Sequence, residues 1–372
     1  MLRVGITGQA GFVGKYLYNT LGLLPEEFER VPFKRSFFED ANELEAFVSQ
    51  CDVIVHLAAM NRHEDQQVIY NTNVALVHKL IDALKKTGSK AHILFSSSTQ
   101  EARRNPYGQS KKEGRTLLAE WAEQSGGKFT GLVIPNVFGP FGLPNYNSVV
   151  ATFCYKLTHN EVSQIDVDGD MKLIYVGELV EEIIKAIRKG VSNKEVLVPH
   201  TSESKVSELL SLLESYKDQY QRKGIIPQLN SNFEVQLFNT FRCYMDIENY
   251  FPVKFTKNMD PRGSFVEVIR LNVGGQVSFS TTVPGITRGN HFHTRKIERF
   301  AVIKGKALIQ LRQVGTDKVL DFYLDGDEPA YVDMPIWYTH NIKNIGEKEL
   351  YTIFWINEFF NPDDADTYFE MV

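Results

Sequence analysis

Cysteine is scarce: Cys51, Cys154 and Cys243 are the only three in 372 residues, widely spaced and never paired at a ligand-like interval. That excludes a disulfide framework and a cysteine metal site, and it suits a reducing cytoplasm. Long apolar runs are missing too. No stretch reaches the ~18 uninterrupted apolar residues of a membrane helix. The opening MLRVGITG reads as a short strand and not as a charged region before an apolar run, so neither a signal peptide nor a membrane anchor is expected. Nor is positive charge in excess: a formal net charge of −5 argues against nucleic acid or an anionic membrane as partner. Small anionic ligands, held by local basic groups, stay open. There is no internal repeat and no low-complexity tract.

What is present is an ordinary globular composition, 43% hydrophobic and 23% charged, in a chain longer than one core usually organises. Two domains are expected. Up to about residue 240, short β-rich runs (RVGIT, DVIVHLA, HILFSS, TGLVIP) alternate with longer segments of helical period. In NTNVALVHKLIDALKKTG, for instance, Val74, Val77, Ile81 and Leu84 share one stripe. Such alternation predicts an α/β domain, a parallel sheet covered by helices on both faces. Past CYMDIENYFP (243–252) the texture changes to short alternating runs such as GQVSFSTTV, ERFAVIKGKALIQLRQ and LYTIFWI, which predict an all-β barrel or sandwich. The expected division is 1–244 and 245–372.

The stretch Thr7-Gly8-Gln9-Ala10-Gly11-Phe12-Val13-Gly14 follows a strand and opens a helix. There Gly8 permits a tight turn, Gly11 lets the backbone approach a pyrophosphate and Gly14 allows close helix–strand packing, while the helix start at Phe12 and Val13 faces the phosphates. A merely structural glycine turn is the competing reading. Independent support comes from Tyr107 and Lys111. Four apart in a helical segment, they share a face on which an ammonium can lower the phenol pKa and make the tyrosine a usable acid or base. An acid about 20 residues past the glycines would bind the ribose hydroxyls of NAD. This chain presents Lys34 and Arg35 instead, which suit the 2′-phosphate of NADPH; a solvated basic pair is the bland alternative.

These residues, with HLAA (His56 to Ala59), Asn73 and NVFGP (Asn136 to Pro140), resemble the extended short-chain dehydrogenase/reductases that act on nucleotide sugars. The likeness covers residues 1 to about 240 and implies a Rossmann-type, doubly wound parallel sheet. It further implies Tyr107 as proton donor or acceptor, Lys111 on the nicotinamide ribose and Ser98, third of Ser96-Ser97-Ser98, on the substrate oxygen. Leu57 and Ala58 would line the cofactor, and Asn136 the substrate. Relatives that dehydrate sugars carry an Asp-Glu pair directly after the active-site Ser or Thr. Thr99-Gln100 stand there in this chain, which favours simple hydride transfer. Val133 and Met171 occupy places where the family often has arginine.

In PGITRGNHFHTRKIERFAVIKG (284–305), His291 and His293 are two apart, so on a strand both imidazoles emerge on one face, and Glu298 follows on the next strand. His340, in MPIWYTHNIKN, offers a fourth donor. Three nitrogens and one oxygen suit Zn2+ first, with Mn2+, Fe2+ and Ni2+ open. A lone strand histidine is most often a surface or hydrogen-bonded residue; two at ligand spacing, a carboxylate and a distant third histidine favour a cage. The spacing Gly285-x5-His291-x-His293-x4-Glu298-x6-Gly305 is similar to the first motif of the cupin family. Pro335 to Asn344 resembles the second, with Trp337 in place of a customary glycine, so a cupin jelly-roll barrel from about 250 to 368 is implied. DPRGSFVEV (260–268) and GITRGNHF (285–292) also resemble deoxysugar epimerases and isomerases built on this barrel, which act on nucleotide-linked 4-keto sugars. In those relatives the histidine at the position of His291 is a base. A metal-bound His291 cannot serve freely, so Tyr338, Lys296 or a metal-bound water stand as candidates, with Arg288 to stabilise an enolate.

A 4-keto sugar joins the two chemistries. Its ketone acidifies the protons on carbons 3 and 5, because the enolate places negative charge on oxygen, where a cation stabilises it. Hydride delivery to carbon 4 then abolishes that acidity and fixes the new configuration. The order of reductase before barrel resembles bacterial capsule and O-antigen enzymes on the route to UDP-N-acetyl-L-fucosamine. That resemblance implies epimerisation at carbon 3 of a UDP-linked 4-keto-6-deoxy-acetamido sugar, NADPH reduction at carbon 4 to the 6-deoxy-L-talose configuration, and a homodimer. Two rivals are kept: a reductase whose barrel only dimerises or binds sugar around a metal, and a non-catalytic NADP sensor, which an intact Tyr107 and Lys111 disfavour.

Overall fold

The computed structural model describes residues 1–261 and 263–372; Arg262, within the segment 260–268, lies outside the described residues. By internal contacts the chain divides into two units, Met1–Thr152 with Val167–Val206, and Phe153–Asp166 with Ser207–Val372. The change of texture near residue 245 falls inside the second unit.

The strands of the first unit are β1 (Leu2–Thr7), β2 (Phe28–Val31), β3 (Val53–His56), β4 (His92–Ser98), β5 (Lys128–Ile134), β6 (Asn136–Phe138), β7 (Asp170–Tyr175), β8 (Asn193–Leu197) and β9 (Ser202–Lys205). One parallel sheet runs in the order β2-β1-β3-β4-β5-β8, and β6, β7 and β9 form a small second sheet. The helices are α1 (Phe12–Gly22), α2 (Ala41–Gln50), α3 (Gln66–Thr87), α4 (Pro106–Ser125), α5 (Val149–Thr158), which runs on into the second unit, and α6 (Val176–Lys189). This is the expected doubly wound architecture. Strand order reverses between β1 and β3, and at such a switch point ligands bind outside the carboxyl ends of the strands.

Local chemistry sets the two helices that matter most for the site. Asp65 caps α3 by accepting the Gln67 N–H at 2.8 Å, and Gly88 ends it at φ 63°. Asn105 caps α4 through the Gly108 N–H at 2.7 Å, with Pro106 in the first turn. Of the stripe read from sequence, Val77, Ile81 and Leu84 are buried, in a core shared with Phe47, Ile54, Phe95 and Leu118. Gly114 lets α4 lie close: a Cβ there would come within 3.0 Å of Val77 and Phe95.

Besides Phe153–Asp166, the second unit holds α7 (Val206–Tyr216) from Ser207 on, α8 (Asn232–Arg242) and α9 (Ile247–Tyr250). Antiparallel strands follow: β10 (Val253–Lys254), β11 (Lys257–Asp260), β12 (Gly263–Val266), β13 (Gln276–Thr282), β14 (Thr287–Phe292), β15 (Glu298–Lys304), β16 (Lys306–Gln313), β17 (Val319–Asp325), β18 (Ala330–Met334), β19 (Tyr338–Asn344), β20 (Leu350–Ile356) and β21 (Tyr368–Phe369). Two five-stranded sheets, β10-β18-β15-β20-β13 and β17-β16-β19-β14-β21, make the all-β domain, as expected for a jelly roll; β11 and β12 form a separate hairpin. Its core includes Val302, Ile309, Leu311, Phe322, Val332 and Ile342.

A buried ionic network ties the helical segment to the sheet within this unit. Arg299 of β15 and Asp333 of β18, both about fully buried, pair through two bonds of 2.8 and 2.9 Å. Tyr220 donates to Asp333 at 2.6 Å, and Arg242 to the Met334 carbonyl at 2.9 Å. Removing one partner leaves an uncompensated buried charge, at a cost of about 3–5 kcal/mol. Asp333→Asn, which keeps the shape and removes the charge, is therefore expected to lower stability to urea by that order. A loss below about 1 kcal/mol, the worth of an exposed pair, would show that the network contributes little.

Candidate functional site

The glycine loop sits at the switch point. Gly8 adopts φ +78°, and a Cβ there would lie 2.8 Å from the Ala58 nitrogen; a Cβ on Gly14 would lie 2.2 Å from the Gly8 carbonyl oxygen. Only glycine fits either place. The segment after β3 is held against β1 by Leu57 N–H to the Thr7 carbonyl at 3.1 Å and Ala58 N–H to Thr7 Oγ1 at 3.4 Å. Gly11 is the N-cap of α1 and offers no side-chain acceptor, so the N–H groups of Phe12, Val13 and Gly14 face outward in a field that favours an anion. Lys34 and Arg35 lie exposed just past the carboxyl end of β2. Gln9 Oε1 accepts the Phe33 N–H at 3.0 Å and links their segment to the loop.

The carboxyl end of β4 and the first turns of α4 bring Ser98, Tyr107 and Lys111 to the same edge of the sheet. Ser97 bonds Glu101, which Arg115 clamps at 2.9 and 2.7 Å. The Ser96 carbonyl accepts from Lys111 Nζ at 2.9 Å. Ser98, half-buried at the strand end, accepts only the Gln100 N–H at 3.2 Å among its described bonds. Lys111 is 3% exposed, with Nζ 5.8 Å from the Tyr107 ring centre. Burial pushes this ammonium down to about 8. It also pushes the Tyr107 phenol up to about 12, with Tyr146 acting in the same direction. Desolvation sets the direction for the phenol here, while the Lys111 ammonium is bonded to the Ser96 carbonyl.

His56 bonds Thr7 Oγ1 at 2.7 Å and is held near 3 by burial and by Lys111, hence neutral. Asn73 closes the segment after β3 onto α3 through both Met60 backbone groups, at 2.7 and 3.0 Å. Asn136 is exposed at the start of β6, with no described bond to the trio.

In the barrel, His291, His293, Glu298 and His340 converge, with one ligand atom from each all within 4.8 Å of one another. His291 pairs across the ladder with His340 of β19, while Glu298 comes from β15 of the other sheet. A bulge between Gly289 and His291, with Asn290 at φ 62°, matters for register. Arg288 opposes Ile342 and His291 opposes His340, so two residues three apart fall on one face. Arg288 itself is exposed, donating to Thr282 Oγ1 and the Thr281 carbonyl at 3.1 Å each.

The donor set fits a metal ion. His293 Nε2 and His340 Nε2 approach Glu298 Oε2 to 3.0 and 3.2 Å, yet among the described residues none of these three buried atoms has a partner in hydrogen-bond geometry. Buried polar atoms are seldom left so, and a shared cation would satisfy them together. Burial, then His340 and His293, push His291 down to about 4, so at neutral pH it offers an electron pair. Burial would raise Glu298, but His293 and His340 overcome it and hold the carboxyl well below its usual range.

Of the two side chains read as candidate bases, Lys296 is engaged elsewhere and Tyr338 is packed in place. Lys296 is 2% exposed and donates from Nζ to the Ala365 carbonyl at 2.5 Å. Tyr338 packs against the barrel core, and burial, with Cys243, raises its phenol. Trp337 has φ +60°, which explains why a glycine is customary there. Sequence reasoning missed Glu101, Arg115 and Asp366. Glu101 carries a faint signal, four residues after Ser97; Asp366 carries none.

Comparison with known proteins follows this division. Residues 4–198 match the model described as the NAD dependent epimerase/dehydratase family. The chain belongs to that family. Residues 258–368 match the Polysaccharide biosynthesis C-terminal domain. This family member is 32% identical over 372 residues to the UDP-2-acetamido-2,6-beta-L-arabino-hexul-4-ose reductase of Pseudomonas aeruginosa, covering 99% of this chain and 98% of that protein. The crystal structure of the capsular polysaccharide assembling protein CapF from Staphylococcus aureus is 37% identical, covers 100% of both chains and superposes with a TM-score of 0.62. RMD from Pseudomonas aeruginosa, complexed with NADPH, shares the fold: 21% identity, 59% of this chain, 83% of that one, TM-score 0.54. Among the described residues no helix is long and apolar enough to cross a membrane.

Proposed function

We propose that the chain is a two-step nucleotide-sugar enzyme. Its barrel inverts carbon 3 of a UDP-linked 4-keto-6-deoxy-acetamido sugar, and its N-terminal domain then reduces carbon 4 with NADPH to the 6-deoxy-L-talo configuration. The supporting observation is that one chain holds both the Ser98, Tyr107, Lys111 trio and a cage of orphaned buried donors, along the full length of a relative named as a hexul-4-ose reductase.

When bound, NADPH would supply the hydride for carbon 4, and Tyr107 Oη would give its proton to the ketone oxygen. A phenol raised to about 12 keeps its proton at neutral pH, the state a donor needs. Ser98 Oγ bonds the same oxygen, and Lys111 holds the nicotinamide ribose. Gly8, Gly11 and Gly14, with the N–H groups of Phe12 and Val13, cradle the pyrophosphate, and Leu57 and Ala58 line the cofactor. Lys34 and Arg35 take the 2′-phosphate, and Asn136 meets the substrate.

A divalent cation held by His291, His293, Glu298 and His340, Zn2+ first, would supply Lewis acidity to an enolate oxygen. Arg288, at the exposed end of the same face, assists. With His291 in the cage, proton removal from carbon 3 would fall to Tyr338, Lys296 or a metal-bound water. The bonds that occupy Lys296 and the packing of Tyr338 favour a second reading, in which the barrel is a metal-stabilised module for sugar binding or dimerisation.

Incubating the UDP-linked 4-ketosugar with enzyme in D2O, without NADPH, separates the two. The proposal expects deuterium at carbon 3, followed by oxidation of NADPH in preference to NADH once cofactor is added. Absence of deuterium would leave only the second reading, and absence of NADPH oxidation would end the reductase assignment.

A further inference from the structure

The metal cage is held from behind by the C-terminal tail. Asp366, 4% exposed and at φ +41°, turns both of its acceptor groups toward the segment between His293 and Glu298. Its carboxylate accepts the Thr294 N–H at 3.0 Å and hydroxyl at 2.7 Å through one oxygen. Through the other it accepts the Arg295 and Lys296 N–H groups, each at 3.1 Å. Its backbone carbonyl faces His293 Nδ1 at hydrogen-bond contact. A carbonyl cannot donate, so Nδ1 carries the proton and Nε2 is left as the lone pair aimed into the cage.

The tail around Asp366 is anchored on both sides. Arg295 grips Asp364 at 2.8 and 3.0 Å, and Lys296 grips the Ala365 carbonyl. Beyond Asp366, β21 joins the ligand strand itself, with Phe369 opposite His291 and Tyr368 opposite Phe292. The Phe292 ring stacks between Tyr368 and Trp337, at 5.4 Å from each. A left-handed backbone at a non-glycine residue is costly and persists where surrounding bonds over-determine it, as these do.

We propose that Asp366 is a positioning residue of the metal cage, and that residues 364–369 form a clasp through which the C-terminus sets the tautomer of His293 and the spacing from His293 to Glu298. This rests on reading the four-residue cluster as a metal site. It predicts that metal affinity depends on a residue that contributes no ligand atom.

The test uses the full chain, freed of metal and titrated with Zn2+ against a chromogenic chelator, and with Co2+ followed by its visible absorption. Asp366→Ala removes the carboxylate bonds to Thr294, Arg295 and Lys296 that hold the Asp366 carbonyl against His293. It is expected to weaken Zn2+ binding about 10–100-fold, the range for disturbing an outer partner of a ligand histidine, and to alter the Co2+ spectrum. Asp366→Asn, which keeps shape and one carbonyl acceptor, is expected to fall between Asp366→Ala and the native chain and serves if the alanine variant does not fold. A purely structural role would lower the melting temperature of metal-free and loaded protein equally. The clasp predicts instead that the rise in melting temperature on adding Zn2+ shrinks in the variants. Native-like Zn2+ affinity and Co2+ spectrum in folded Asp366→Asn and Asp366→Ala would overturn the clasp and leave the cage intact. Failure of the native chain to bind either metal would overturn the cage itself, and the clasp with it.

Discussion

Tyr107→Phe is expected to slow NADPH oxidation by about 10²–10⁴-fold, the range for losing a positioned general acid, while carbon-3 deuterium exchange continues at the native rate. The change removes one oxygen and keeps the ring that lies 5.8 Å from Lys111 Nζ, so the first turn of α4 and its Asn105 cap stay in place. Cofactor affinity should also hold, because the glycine loop, Ala58 and Lys111 do not depend on the phenol. The informative outcome is the split between the two assays. If exchange falls together with NADPH oxidation, both steps use one constellation, and the two-step proposal fails in its central claim. If only oxidation falls, the proton on carbon 3 is removed by groups outside the trio, which directs attention to the barrel.

Much of the N-terminal site was legible because its constraints are steric and local. A Cβ on Gly14 would run into the Gly8 carbonyl, so the glycine spacing is a direct imprint of the helix lying on the strand end. The Tyr107 to Lys111 interval reports a helix face in the same way. The gathering of the four barrel residues was legible for a similar reason, since strand alternation puts His291 and His293 on one face. What sequence does not carry is the bulge at Asn290, which alone puts Arg288 on that face despite its odd spacing. It also does not say against what an amphipathic helix is buried. Tyr220 and Arg242 belong to segments with ordinary helical texture, and only their bonds to Asp333 and Met334 reveal that they serve the barrel. Asp366 was invisible because its work is done by acceptors to backbone N–H groups some 70 residues away, a role that leaves no motif. The phenol of Tyr107 shows a further limit: the pattern names the pair, but burial decides the direction in which the proton is held.

His293→Ala is the second large effect expected, and it should reverse the Tyr107 result. The substitution deletes one of the four donors and leaves Glu298 and His340, 3.2 Å apart, buried beside the vacated space. Metal affinity should fall by more than the about 10–100-fold that an outer-partner loss causes, and bound Zn2+ should disappear on dialysis. Carbon-3 deuterium exchange should disappear with it, and stripping the native enzyme with a chelator should reproduce that loss. Reduction need not follow. Given a ketosugar already inverted at carbon 3, the variant should still oxidise NADPH near the native rate, because Ser98, Tyr107 and Lys111 are untouched. Should exchange persist in metal-free His293→Ala, the cage is not what acidifies the carbon-3 proton, and the barrel becomes the binding module of the second reading. Melting curves taken alongside distinguish that outcome from simple unfolding. The first unit, with its own core around Ile54 and Leu118, should keep its transition when the second loses the stabilisation that a bound ion gives to the folded state.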